Sequence, residues 1–185
     1  MSASILVAYA TRYGSTQEVA VAVAAMLRER GLEVELQPMR KVRTLAGYRA
    51  VVLGAPLYIG SLHKDAQRFL SRYRESLMER PPEGIRVAIF ALGPTHADEM
   101  EWLGSRAQFD KELAKYPWLN PVALEMFGGK YDPAKLRFPD NLLEALPASP
   151  MHNMPASDVR DFALIRTWAS NLTAKLQPAL PHKER

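Results

Sequence analysis

Short strands that are apolar on both faces, alternating with helices, constrain this chain more than any other feature. Ser4–Ala10, Ala50–Gly54, Arg86–Leu92 and Val122–Phe127 are mostly apolar and lack a strict in–out alternation. Such strands are buried on both sides, as in a parallel sheet covered by helices above and below. Leu32–Gln37 does alternate, which predicts a strand near a sheet edge. Between the strands, apolar residues recur at helical spacing. Val19, Val23, Met26 and Leu27 predict a helix over Thr16–Arg30; Phe69, Tyr73 and Leu77 predict one over Lys64–Met78. A helical region follows over Asp98–Tyr116, and Phe162, Ile165, Trp168 and Leu172 predict a last helix over Asp158–Leu176. Ser15 and Glu18 have the spacing of a capping box, and Gly31 is a natural stop. The reading is an α/β three-layer sandwich with a five-stranded parallel sheet in the order 2-1-3-4-5.

The 185 residues suit one domain over residues 1–176. Residues 131–157 carry five prolines and read as an irregular insertion before the last helix, with a short helix over Leu142–Leu146. Residues 177–185 read as a frayed tail. The chain has no cysteine, which excludes a thiolate nucleophile, a zinc–cysteine site and an iron–sulfur cluster on its own thiolates. The four histidines lack metal-ligand spacing, so no metal is expected. Net charge is +4, and it is uneven: residues 1–95 hold 13 basic and 8 acidic side chains, residues 96–185 hold 11 and 12. The excess includes Arg40, Lys41, Arg43, Arg49, Arg68 and Arg72 and suits either a solvated face or anionic partners. No nucleic-acid partner is expected, because the arginines are spread over several elements without interleaved aromatics. No segment approaches the ~20 apolar residues of a membrane span, and Ile5–Ala10 is too short for a signal-peptide core. The expectation is a cytoplasmic protein, peripheral at most to the inner face of the membrane.

In a sheet of this kind ligands bind at the carboxyl ends of the strands. After the first strand come Thr11-Arg12-Tyr13-Gly14-Ser15-Thr16: three hydroxyls, a glycine that permits an unusual backbone angle, and then the unpaired N–H groups of a helix. That combination suits a phosphate. It is neither Gly-x-Gly-x-x-Gly nor Gly-x-x-x-x-Gly-Lys-Ser/Thr, which argues against dinucleotide folds and P-loop hydrolases. The strand ends Tyr9-Ala10-Thr11 and Leu53-Gly54-Ala55 lack the acidic residues expected of a phospho-receiver domain.

The loop Thr11–Thr16 resembles the FMN-phosphate loop of flavodoxins, with Tyr13 in place of the middle threonine. Its Thr-Arg-x-Gly-x-Thr form is similar to the flavodoxin-domain family of menaquinone-dependent protoporphyrinogen dehydrogenases. Gly54-Ala55-Pro56-Leu57-Tyr58-Ile59-Gly60-Ser61-Leu62-His63 resembles that family's Gly-Ala-x-x-x-x-Gly-x-x-His. Phe127-Gly128-Gly129-Lys130 and Asp158-Val159-Arg160-Asp161-Phe162 are similar to segments of its wider membership, with Ser157 and Phe162 standing where Gly and Trp are usual. The porphyrinogen enzymes carry a basic, apolar insertion; here residues 131–157 hold only two basic residues, Lys135 and Arg137.

The resemblance implies a flavodoxin-like fold with FMN as cofactor. Thr11, Arg12, Tyr13, Gly14, Ser15 and Thr16 would hold the phosphate. Pro56, Leu57, Tyr58, Ile59 and Gly60 would border the ring, with Tyr58 or Ile59 stacking and the Gly60–Ser61 peptide meeting a ring nitrogen; Tyr58 also reads as simple core packing. Leu92, Gly93, Pro94 and Thr95 would close the other side. His63 and His96 are weak catalytic candidates as proton donors, and each reads more readily as a solvated loop histidine. Trp168 reads as core, and Trp102 as either a cover for the flavin or a helix-packing residue. The implied activity is an FMN-dependent oxidoreductase, quinone-linked and similar to protoporphyrinogen dehydrogenase. The alternative is a flavodoxin-type electron carrier, which the basic charge disfavours because such carriers tend to be acidic. Expected partners are a quinone or other small-molecule acceptor, or a redox protein; membrane contact and a homodimer are left open.

Overall fold

The computed structural model describes residues 4–58, 60–79, 84–149 and 151–177. Ile59 and the tail beyond Gln177 lie outside the described residues. The main sheet contains β1 (Ser4–Tyr9), β2 (Val34–Pro38), β3 (Tyr48–Tyr58), β5 (Arg86–Leu92) and β6 (Ala123–Phe127), parallel and in the order β2-β1-β3-β5-β6, while β4 (Ser61–Leu62) pairs with β3 off this path. Counted along the chain as parallel strands only, this is the expected 2-1-3-4-5. Register runs Val7↔Val52 between β1 and β3, and Val52↔Ala88 between β3 and β5.

The side-chain alternation of β1 shows why both faces must be covered. Ile5, Val7 and Tyr9 pack against α1 (Ser15–Glu29) and α6 (Phe162–Leu176). Leu6, Ala8 and Ala10 face the opposite layer, with α2 (Lys64–Arg72), α3 (Arg74–Met78), α4 (Glu99–Leu113) and the turn after β2. Phe90 and Phe127 meet Trp168 edge-on at 5.9 and 5.5 Å, so Trp168 is a core residue as expected. Trp102 packs, half-buried, against the second layer.

Several local expectations are corrected. The Ser15/Glu18 capping box does not form: Gly14 is the N-cap of α1, at φ 92°, and no side chain caps that end. The expected helix over Lys64–Met78 is two helices, parted at Tyr73. That residue's hydroxyl reaches back to the Val42 carbonyl at 2.9 Å. β3 extends four residues past Gly54 because β4 folds back on it as an antiparallel partner. The last helix starts at Phe162 rather than Asp158, since the Asp161 carboxylate takes the Leu164 N–H at 2.9 Å as its cap.

Residues 131–157 are more ordered than their prolines suggest. They hold a 3-10 turn (Pro133–Lys135) and the short helix α5 (Asp140–Ala145). The segment is closed at its base by β7 (Lys130–Tyr131) and β8 (Ser157–Asp158), an antiparallel two-stranded ribbon. The ribbon joins the two motifs around Gly128 and Arg160, which are far apart in sequence. A Cβ at Gly128 would lie 2.1 Å from the Val159 carbonyl oxygen, so only glycine lets the two chains approach. Gly128→Ala is expected to destabilise the protein by about 1–3 kcal/mol, read as a lower midpoint in denaturant unfolding.

Candidate functional site

The carboxyl ends of β1, β3 and β5 open into a cavity of about 140 Å³, continuous with solvent. Nine of the expected cofactor residues line it. Arg12, Tyr13 and Ser15 come from the first loop, Pro56, Leu57 and Tyr58 from the end of β3, and Leu92, Gly93 and Thr95 from the end of β5. These loops converge because β1, β3 and β5 are adjacent and parallel, so their carboxyl ends share one edge.

Of the other expected residues, Thr11, Gly14, Thr16 and Pro94 lie outside this lining but in the same loops. The Thr11 hydroxyl takes the Gly14 N–H at 2.9 Å, which holds the turn that the positive φ of Gly14 allows. Thr16 is fully buried, and its Oγ1 has no hydrogen-bond partner among the described residues. The first intrahelical bond into Gly14 comes from the Glu18 N–H, 3.0 Å from its carbonyl. The N–H groups of Ser15, Thr16 and Gln17 therefore precede the helix ladder. The Pro94 carbonyl accepts from the Gly129 N–H, fixing the third loop to the base of the insertion. Gly60, at φ 73°, lies away from the cavity lining, beside Gln108.

The two histidine candidates also fall outside the lining. His96 bonds through Nδ1 to Glu101 at 3.0 Å, and the Glu101 carboxylate also accepts from the Thr95 N–H at 2.7 Å. His63 caps α2, its Nδ1 accepting the Asp65 N–H at 3.1 Å. Burial lowers its pKa; the Arg12 and Arg68 cations push the same way, and the Asp65 carboxylate opposes them. Only the neutral ring can accept that N–H. A base whose folded pKa is depressed contributes stability above its unfolded value and loses it as the pH falls through that value toward the folded pKa. Acidification below about pH 6.5 is thus expected to weaken the wild type more than His63→Asn, which caps without titrating. Urea unfolding at a series of pH values reads the difference.

The insertion and the two residues before it supply another wall of the cavity: Gly129–Asp132, Lys135, Leu136 and Met151. Asp140 of α5 is 3% exposed and lies against the first two loops. Its Oδ2 accepts from the Tyr58 hydroxyl at 2.8 Å and from the Tyr13 hydroxyl at 2.5 Å, and it lies 2.8 Å from Arg12 Nε. The Arg12 guanidinium sits over the Tyr58 ring at 5.3 Å. Burial works against the Arg12 charge, but the Tyr13 hydrogen bond and the Asp140 carboxylate outweigh it and raise its pKa. Burial, the hydrogen bond to Asp140 and that carboxylate's charge push the Tyr58 hydroxyl up to about 12.

A second link runs under the floor. The Arg160 side chain is 3% exposed. It donates to Asp158 at 2.6 Å, to Glu18 at 2.8 Å and to the Ser15 carbonyl at 3.3 Å. Glu18 lines the cavity, so Arg160 neutralises a carboxylate that would repel an anion there. Asp140 and Arg160 escape residue-by-residue reading, because their partners lie far away along the chain. The Asp-x-Arg motif was the visible signal for Arg160.

The residues fit a flavin mononucleotide. The buried, unpartnered Thr16 hydroxyl and the leading N–H groups of α1 offer donors to a phosphate. Tyr58, Leu57 and Leu92 supply apolar walls. Among the described residues no His/Asp/Glu cluster could hold a metal ion, and no helix is long and apolar enough to cross a membrane.

Comparison with known proteins gives the family and the fold. The chain is 28% identical over 91 residues to protoporphyrinogen IX dehydrogenase [quinone] of Escherichia coli K12, covering 48% of this chain and 50% of that protein. The chain thus spans about half the length of the curated relatives it matches. Among solved structures, a short-chain flavodoxin associated with a non-canonical PDU bacterial microcompartment superposes with a TM-score of 0.59 at 15% identity, over 94% of this chain and 99% of that one. An archaeal flavodoxin gives 0.55 at 13%, over 94% and 98%. A cysteine-to-alanine mutant of a Pseudomonas aeruginosa flavodoxin gives 0.54 at 16%, over the same shares. At these identities the structures speak for the fold alone. The family model described as Flavodoxin domain matches residues 6–144, and the chain belongs to that family.

Proposed function

We propose that this protein binds FMN in the cavity above β1, β3 and β5 and acts as a quinone-linked oxidoreductase. The observation that carries the reading is the Thr16 hydroxyl, fully buried at the start of α1 and without a partner among the described residues. A buried hydroxyl with no partner costs free energy, and a phosphate oxygen in the loop would satisfy it. When bound, FMN supplies the electron chemistry. The chain's own residues bind, orient and shield: the first loop holds the phosphate, Tyr58 and Leu57 pack the ring, and the insertion keeps bulk water from one side. Tyr58 stays protonated at neutral pH, given its raised pKa, and so presents a neutral face.

The insertion also favours an apolar acceptor. Phe138, Leu142 and Leu146 are exposed on or beside α5, in the same segment as the wall residues Leu136 and Met151. Exposed apolar side chains in the segment that walls a redox cavity suit a quinone more than a water-soluble acceptor. The match to a quinone-linked dehydrogenase, over half the chain, points the same way.

The test is reconstitution. Purified protein mixed with FMN is expected to give a bound flavin spectrum, with the ligand identified by mass, and to turn over a menaquinone analogue once reduced. Failure to take up FMN would overturn the cofactor assignment. FMN uptake with rapid transfer to a redox protein and no quinone turnover would favour the electron-carrier alternative.

A further inference from the structure

The surface between the turn after β2 and the outer side of α2 is strongly basic and has no role in the cavity. Arg40, Lys41, Arg43, Lys64, Arg68 and Arg72 are all exposed there. Three shallow grooves run through this surface and share residues. Arg72 lines all three, Arg40 and Arg68 two each, so the six cations form one continuous patch. The single carboxylate lining these grooves is Asp65, which lies 3.7 Å from Arg68. The other five cations make no ion pair with any described residue, although acidic side chains are almost as numerous as basic ones in the whole chain. Holding so many like charges together without counter-charges is unfavourable.

We propose that this patch is the docking surface for an acidic redox protein. The inference rests on the oxidoreductase reading above and names its electron donor by chemistry: a one-electron carrier with a carboxylate-rich face. Charge complementarity supports a protein partner. No exposed large apolar side chain lies among the six cations, as a membrane-inserting surface would need, and Tyr73 beside them is buried rather than free to stack on a base. The patch also adjoins the site along the chain. Lys64 opens α2 directly after the β3–β4 hairpin, and Leu57 and Tyr58 of that hairpin line the cavity. Donor and acceptor then use separate surfaces, the basic patch and the exposed apolar residues of the insertion. The electron count balances: two reduced partners are each oxidised by one electron, and these electrons with two solvent protons take one quinone to its hydroquinone.

The experiment uses the FMN-loaded protein and a reduced acidic [2Fe–2S] ferredoxin as probe, followed by stopped-flow flavin absorbance. The reduction rate is expected to fall about tenfold or more between low and physiological salt. The Arg40→Glu/Arg43→Glu/Arg72→Glu variant is expected to be at least about tenfold slower at low salt, with unchanged FMN affinity and unchanged reduction by a photoreduced, uncharged deazaflavin. A rate insensitive to both salt and charge reversal would overturn the proposal. So would tighter, charge-reversal-sensitive binding to phosphatidylglycerol vesicles or duplex DNA than to the ferredoxin. If the protein takes up no FMN, the oxidoreductase reading fails by itself; calorimetric binding of the ferredoxin, lost in the triple variant, still judges the docking surface.

Discussion

Asp140→Ala is expected to release the insertion from the cavity. The carboxylate holds two tyrosine hydroxyls and a guanidinium from a position 3% exposed. Removing it leaves Arg12 without its counter-charge and two hydroxyls without an acceptor, and water can reach only part of the loss. Breaking such a cluster costs about 3 kcal/mol. The cost falls locally, because α5 is short and belongs to a segment closed at its base by the β7–β8 ribbon. Amide exchange across Asp140–Ala145 is therefore expected to rise roughly 100-fold, while β1 and β3 keep their protection. The same variant gives an optical signature. Burial and the facing carboxylate push the Tyr58 hydroxyl up to about 12, and removing the carboxylate is expected to move it back toward the ordinary 10.0. Burial is the other cause and stays, so the return is partial. Asp140→Asn keeps an acceptor for the hydroxyls and loses the charge facing Arg12, and it should fall between. Unchanged exchange in the alanine variant would show that α5 is held by other contacts.

The second large effect is expected at Arg160. Arg160→Ala unpins the Ser15 carbonyl and leaves Glu18 facing the cavity as an unpaired carboxylate. Both changes fall at the phosphate end of the site, where a dianion would meet the exposed charge. FMN affinity is expected to drop about 10–100-fold, in line with the loss of about 1.5–3 kcal/mol for a hydrogen bond to a charged group. Riboflavin lacks the phosphate, and its affinity should change little. Arg160→Lys keeps the charge without the fork that reaches Asp158, Glu18 and Ser15 together, so partial recovery is expected. Fluorescence titration with both ligands separates the cases. An equal loss for both would mark Arg160 as a general brace between the turn before α6 and α1. No loss for either would remove it from the site.

Legibility in the sequence followed the range of the interactions. The strands could be read because their burial on two faces is written in consecutive residues. Ile5–Val7–Tyr9 and Leu6–Ala8–Ala10 each need a helix layer, and that requirement appears in the run itself. Caps were less legible. Ser15 and Glu18 had the right spacing, yet Gly14 took the cap because the positive φ there starts the helix one residue earlier. The prolines of residues 131–157 blurred α5, since proline density excludes long elements but not one short helix anchored by a single buried carboxylate.

The sequence by itself determined the layered architecture and the three loops at the carboxyl ends of the strands, because each rests on local apolar pattern and on the rule that parallel strands end together. Only the tertiary structure decided what surrounds those loops. Asp140 reaches Tyr13 across 127 positions and Arg160 reaches Ser15 across 145. Buried charges take partners wherever the fold brings them within hydrogen-bond distance, and no local pattern in the chain records that meeting.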